Sequence, residues 1–572
     1  MKYQQLAQLY QDLSSTTKRL EKTDILAKFL EQLSIKERDV MYLLLGRIYP
    51  EYDERKIGIS NQLVIKALAK ALGIDKDEIV KKWKKIGDIG QVAFEFVKEK
   101  KQKTLSASKE LQIDKVIENL RKLPELEGHG TVSKKIDLIT ELLTSATPIE
   151  ALYIVRTLIG DLRMGVQEST IRESLAKAFF SGEEKAAKTI QRAIDRTNDL
   201  ASVFEIASNK NIKEFSQLHL EIGKPIKAML AQKALTIEDG FKQVGKPCAI
   251  EYKYDGFRMI IHKNNYEIKL FTRSLENVTK QFPEVVEYLN KYVKGKSIIL
   301  DAEAVGFDKK TKEYQPFQHI SQRIRRKYDI EKLQQELPIE LNVFDILHYN
   351  GKSMMEEPFE KRAKLLRQII TKKPYKIIPS KMIITDDKKK VEVFYKQALK
   401  DNQEGIMMKN LEAPYQPGRR VGNMLKLKPE ERDLDLVITG AEYGSGKRGG
   451  GMSSFILSCK GKKSGEYLEI GKVGTGIKEK SGTEEDITFN KLTELLTPYI
   501  TKEKGKTVDI KPKIVVAVTY QEIQRSPNYN SGWALRFPRF TALRPDKPLS
   551  EIADLKEIEN EFEKQKRNWR YG

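Results

Sequence analysis

Cysteine is almost missing from this chain: Cys248 and Cys459 are the only two in 572 residues. Two thiols cannot build a four-thiolate zinc site, and these two are too far apart for a Cys-x-x-Cys pair. Both are expected to be buried small apolar side chains in a reducing compartment. Histidine is scarce too, with five copies and no HExxH or other paired spacing. That argues against a zinc caged by protein side chains, and leaves room for a hard cation held by carboxylates. No apolar run reaches the roughly 18 residues that would span a membrane. The opening MKYQQLAQLYQDLSS lacks the basic stretch and apolar core of a secretory leader, so the expected location is the cytoplasm.

Charge of one sign, by contrast, is in excess. Lysine plus arginine total 103 against 81 acidic residues, a formal net charge of +22. A lysine- and glutamate-rich surface of a heat-adapted protein would explain the charge density but not the imbalance. A field of that sign attracts polyanions, and nucleic acid is the natural candidate. With 40% hydrophobic residues the chain can build globular cores, and its length suggests about three domains.

The pattern along the chain agrees with three parts. Residues 1–222 read as helices, with apolar residues at helical spacing in QLVIKALAKALGI, KIDLITELLTSA and STIRESLAKAFF. Residues 223–430 mix short strand-like runs (CAIEYKYDG, SIILDAEAVGFD, IELNVFDILHYNG) with helical stretches such as EKRAKLLRQII, a mixed α/β domain. Residues 431–572 return to strand-like runs joined by Gly-rich turns, as in a small β-barrel such as an OB-fold, with a helical tail.

Within the middle part, Lys253-Tyr254-Asp255-Gly256-Phe257-Arg258 follows a strand-like run. Alone it is an ordinary exposed turn in a lysine-rich chain. Read with the segments that follow, it gains weight: Arg273 in FTRSLENVT, Asp301 and Glu303 alternating in LDAEAV, Phe344 in NVFDI, Glu404 and Lys409 in EGIMMK, Lys426 and Lys428 alternating in LKLKP. A neutral lysine amine can attack phosphorus, and cations around it favour that neutral form. Arg258, Arg273, Arg420, Lys426 and Lys428 are candidate cations for triphosphate oxygens. Glu303 and Glu404 are oxygen ligands suited to Mg²⁺, with Mn²⁺ as an alternative. Phe344 is a candidate platform for a purine.

In order, spacing and strand context these segments resemble the motifs of covalent nucleotidyltransferases, and the whole chain resembles the replicative ATP-dependent DNA ligases of archaea and eukaryotes. TLIGDLRMGVQESTIRESLAKAF at 157–179 is similar to a signature of that family's helical DNA-binding domain. GKPIKAMLAQKA at 223–234 resembles the linker into its catalytic domain, with Lys227 or Ala228 where the family often has a second proline. YQPGRRVGNMLKLKPE resembles its closing catalytic motif, with Met424 in place of the usual tryptophan, and GWALRFPRFTALRPDK resembles its last OB-domain motif.

The resemblance implies a multidomain enzyme that carries AMP on Lys253 and seals nicks in duplex DNA, serving replication, repair and recombination as a monomer. It implies that Glu251 reads the adenine amino group, that Arg156, Arg163 and Gly165 lie near DNA phosphates, and that Arg536, Arg539, Arg544, Asp546 and Lys547 act when the OB domain closes over the nucleotide. It also places a sliding-clamp contact near Lys101-Gln102-Lys103-Thr104-Leu105, although the aromatic pair usual after the glutamine is missing. The helical part disfavours an RNA ligase or capping enzyme, the two cysteines disfavour an NAD⁺-dependent ligase, and the complete motif set disfavours a non-catalytic DNA-encircling protein.

Overall fold

The structure, a computed structural model, describes residues 1–99, 110–128, 130–326, 328–429, 432–444, 448, 451–463, 465–479 and 486–571. The segment expected to meet a sliding clamp lies outside the described residues. The chain divides into two compact units, one of Met1–Thr16, Ile57–Gly165 and Glu430–Asn568, the other of Thr17–Lys56, Val166–Pro429 and Trp569–Gly572.

In the first unit, helices occupy two of the segments read as helical from apolar spacing, QLVIKALAKALGI and KIDLITELLTSA. Pro148–Ile159 is bounded as its sequence dictates: Thr147 and Glu150 form a capping box, Pro148 takes the first turn, and Gly160 closes the end in the left-handed conformation. Its inner face is mostly apolar, with Glu150 and Thr157 also buried, and Tyr153 packs on Tyr10 at 5.0 Å between ring centroids. The same unit holds a strand-rich OB-like region. Arg432–Tyr443 pairs antiparallel with Met452–Lys460, Thr507–Ile510 and Val515–Tyr520. Met452–Lys460 continues to Tyr467–Val473, and Val515–Tyr520 to Arg539–Leu543. Alternation along these strands buries Leu434, Leu436 and Ile438 with Phe455, Leu457, Val516 and Val518. The helix Leu555–Tyr571 follows.

In the second unit, helices including Arg19–Gln32 and Glu168–Phe180 precede two sheets. One has the order Leu230–Lys233, Arg420–Leu427, Gly405–Lys409, Cys248–Lys253, Met382–Thr385. The other is built around Glu267–Thr272, Phe257–Asn264, Ser297–Phe307 and Ile339–Tyr349. Most pairs are antiparallel, while Leu230–Lys233 runs parallel to Arg420–Leu427 and Ile377–Pro379 parallel to Ile339–Tyr349. This is the mixed α/β arrangement expected. The turn 253–256 carries the chain from the first sheet into the second.

Candidate active site

Three neighbouring strands fix the charged groups around Lys253. Lys253 ends the strand Cys248–Lys253, and the antiparallel register sets it against Gly405 and Glu251 against Met407. On the next strand out, Lys426 also lies opposite Met407. The Glu404 amide donates to the Lys253 carbonyl at 2.9 Å, and the Glu404 carboxylate sits 2.7 Å from Lys253 Nζ while also pairing with Lys428. Burial alone would raise the Glu404 carboxyl, but Lys253 and Lys428 outweigh it and hold that carboxyl well below the usual range. Burial lowers the Lys426 amine, and the neighbouring cations Lys428, Lys253 and Arg420 lower it further. Lys428 is lowered mainly by burial, with Glu404 opposing.

Gly256 lets the second sheet approach. A Cβ there would stand 2.2 Å from the Ala304 carbonyl oxygen, so only glycine allows this turn to lie against the strand that carries Glu303. Register then places Arg258 opposite Glu303 and Ile260 opposite Asp301. Burial pushes the Glu303 carboxyl up to about 8; Lys253 and Arg258 oppose the shift, and Glu404 and Asp301 add to it.

Arg258 is held tightly within the protein. Its Nε donates to Asp301 Oδ1 at 2.8 Å, its Nη1 to the Met229 carbonyl at 2.6 Å, and its Nη2 to both Asp301 Oδ2 and the Tyr415 hydroxyl. Four of the five N–H donors of the guanidinium are therefore engaged within the protein. Its guanidinium carbon lies 5.3 Å from the centroid of the half-buried Phe344 ring, and Lys409 Nζ lies 4.9 Å from the same centroid. Lys409 Nζ is also 2.5 Å from Glu251. The second Glu251 oxygen, Oε1, is buried with no hydrogen-bond partner among the described residues. Burial pushes the Glu251 carboxyl up, and Lys409 opposes that shift.

Lys253, Glu303, Glu404, Lys426 and Lys428 thus act on one another directly, with Arg258, Phe344 and Glu251 beside them. Arg420 is exposed at the start of its strand yet influences Lys426. Arg273 is exposed just past the strand Glu267–Thr272, and no contact joins it to the other site residues among those described. Asp301 and Tyr415, which lock Arg258, were not among the expected site residues. The alternation of Asp301 with Glu303 was legible; Tyr415 had only its place in YQPGRR as a signal. Among the described residues no cluster of three or more His, Cys, Asp or Glu side chains is arranged to hold a metal.

The remaining expected residues lie in the first unit. Arg156 and Arg163 converge on the buried Asp88 at 2.7 and 3.0 Å, and Arg163 also donates to the Gly87 carbonyl. Arg163 and Gly165 both adopt positive φ, at 56° and 64°, which shapes the turn after Gly160. In the OB-like region Arg536 pairs with Glu522 at 2.9 Å, whereas Arg539 is exposed. Arg544 and Lys547 both pair with Asp435, and Arg544 also holds Asp546 at 2.8 Å. Between the first two arginines Phe537, at φ 49°, leaves its ring 70% exposed.

Comparison with known proteins turns this geometry into an identity. The family model "ATP dependent DNA ligase domain" matches residues 228–428, "DNA ligase N terminus" matches 2–176, and "ATP dependent DNA ligase C terminal region" matches 448–547. A DNA ligase of Nanoarchaeum equitans is 45% identical over 566 residues, covering 99% of each chain. The chain belongs to the ATP-dependent DNA ligase family. The ligase is also 38% identical over 568 residues to a DNA ligase of Thermococcus fumicolans, again across 99% of each. Its fold is shared with the solved structure Pmar-Lig_PreS3, at 18% identity and a TM-score of 0.57 over 94% of this ligase and 99% of that chain.

Proposed function

We propose that this ligase seals nicks in duplex DNA through a phosphoramidate between AMP and Lys253. The observation that supports it most is the Lys253 amine, 2.7 Å from Glu404 and flanked by Lys426 and Lys428, with Glu303 across from it. In the first step the deprotonated Nζ attacks the α-phosphorus of ATP. A P–N bond forms, the P–O bond to pyrophosphate breaks, and the nitrogen sheds a proton to a neighbouring carboxylate or water. Lys426 and Lys428 stabilise the departing phosphates as fixed cations. Next the 5′-phosphate of the nick attacks the same phosphorus and Lys253 leaves, regaining a proton. The 3′-hydroxyl then attacks the 5′-phosphorus and AMP departs.

Glu303 and Glu404 suit Mg²⁺, or Mn²⁺ in its place, because such an ion takes one or two carboxylates alongside phosphate oxygens and water. When bound it would neutralise phosphate charge. The buried, unpartnered Oε1 of Glu251 is an acceptor fit for the adenine amino group, and Phe344 a platform for the ring.

Residues 1–222, 223–430 and 431–572 are taken as DNA-binding, adenylating and OB domains of a cytoplasmic monomer, a division supported by where the three family models fall. The turn at 156–165 is assigned to the DNA side, with Arg156 and Arg163 shaping it through Asp88. Arg536, Arg539, Arg544, Asp546 and Lys547 are assigned to closure over the nucleotide. Residues 101–105 are the segment assigned to a sliding clamp, and deleting 101–107 is expected to remove stimulation by the clamp. The test of the central step is incubation with α-labelled ATP and Mg²⁺ followed by a denaturing gel. A labelled band that Lys253→Ala abolishes is expected; equal labelling of the variant refutes the assignment.

A further inference from the structure

Tyr415 lies outside the charge cluster, yet its hydroxyl joins three separate parts of the site. It donates to Asp301 Oδ2 at 2.7 Å, accepts from the Met229 amide at 3.0 Å, and accepts from Arg258 Nη2 at 3.3 Å. A neutral phenol has one proton to give and two lone pairs to receive, and all three are used here. Tyr415 is 4% exposed and Asp301 fully buried, so no water substitutes for these bonds. The three partners come from the entry strand region at 229, the strand bearing Arg258, and the strand bearing Asp301 and Glu303. Arg258 closes the ring by donating to the Met229 carbonyl at 2.6 Å.

Resting on the adenylation reading above, we propose that Tyr415 is a positioning residue for that step, acting through Arg258. A guanidinium held by a carboxylate and a carbonyl alone can still pivot about their plane. The phenol supplies a third point of attachment, on Nη2, and so fixes which way the one remaining N–H points and how the guanidinium lies over Phe344. It also pins Asp301, two residues before Glu303 on the same face of the same strand. The hydroxyl never touches ATP; it fixes the parts that do. Removing it leaves Asp301 Oδ2 and the Met229 amide buried with one partner fewer, and lets Arg258 shift by fractions of an ångström. A misplacement of about 1 Å at a reacting centre can cost about 100-fold in rate.

The experiment is a double-mutant cycle read by single-turnover labelling of the full chain with α-labelled ATP. Tyr415→Phe is expected to slow labelling roughly 10- to 100-fold while changing the ATP concentration for half-maximal rate less than about threefold. Combined with Arg258→Lys, which breaks the fork itself, Tyr415→Phe should slow labelling no further, because the hydroxyl then has nothing left to position. A purely structural role would not give this dependence on Arg258. Multiplicative slowing in the double variant overturns the proposal, as does a single variant within twofold of wild type. If Tyr415→Phe does not fold, Asp301→Asn attacks the same network from its other end, keeps its shape, and carries the same prediction of no added slowing on Arg258→Lys. Absence of any labelling in the wild-type chain overturns the proposed function and this inference together. Labelling that depends on Lys253 but shows independent effects overturns this inference alone.

Discussion

Asp88 offers the sharpest test of how the helical region carries its arginines. The residue is 4% exposed, caps the helix Ile89–Glu99 by accepting from the Gly90 amide at 2.9 Å and the Gln91 amide at 3.3 Å, and pairs with Arg156 and Arg163, whose side chains are 12% and 18% exposed. Asp88→Ala leaves two largely buried guanidinium groups without their counter-charge, which costs about 3–5 kcal/mol for a buried pair. The lost cap adds about 1 kcal/mol, partly offset by water reaching the arginines. Asp88→Asn keeps an acceptor for the cap and loses the charge, so roughly half that cost is expected. Amide hydrogen exchange reads the effect locally, without requiring the multidomain chain to unfold in one step. At about 1.4 kcal/mol per decade, amides of Ile89–Glu99 and Pro148–Ile159 should exchange roughly 10²- to 10⁴-fold faster in Asp88→Ala. Acceleration below tenfold would refute the reasoning. Binding of nicked DNA against salt gives a second reading. Guanidinium groups committed to Asp88 release no counterions, so Arg163→Met should leave the slope of log affinity against log salt nearly unchanged. A fall of about one would place Arg163 on a phosphate instead.

Two further outcomes follow from the second unit. Asp195, held 3.2 Å from Arg419, has its carboxyl pushed up to about 6 by burial, which Arg419 and Gln191 only partly oppose. A folded value above the unfolded one of about 3.9 gives stability that is fully present below about pH 4 and lost as pH rises through about 6. Asp195→Asn should therefore gain on the wild type by up to about 3 kcal/mol between pH 4 and pH 7, followed by thermal melting; a difference independent of pH would contradict it. Gly256→Ala forces a Cβ to within 2.2 Å of the Ala304 oxygen, so the Lys253 turn must move away from the Glu303 strand. Adenylation at least about 100-fold slower in a folded protein is the expected result, and a near-normal rate would show that the close approach is dispensable.

How much of this could be read in the sequence depended on the range of the interaction. The helical, mixed and strand-rich parts were legible because apolar spacing is local, and the ends of Pro148–Ile159 were encoded in adjacent residues. The charge cluster was legible because its segments, in order, resemble the motifs of covalent nucleotidyltransferases. What those side chains bond to was not. Arg258 was expected on phosphate oxygens, but its fork is filled by Asp301, Met229 and Tyr415, which lie 43, 29 and 157 positions away. Arg156 and Arg163 are implied as DNA contacts by the family resemblance; their partner Asp88, 68 residues before Arg156, stands in a stretch with no signal of its own. Pairings of that kind depend on tertiary packing, which no periodicity records.

The backbone ladder joining Cys248–Lys253, Gly405–Lys409 and Arg420–Leu427 has a consequence for how this enzyme can be altered. Like teeth on a rack, its hydrogen bonds index Lys253 against Gly405, and Glu251 and Lys426 against Met407. Deleting a single residue from any of the three strands would turn its charges to the opposite side of the sheet. Insertions in the turns between strands leave that indexing intact, so loop length is where the catalytic region has room to vary.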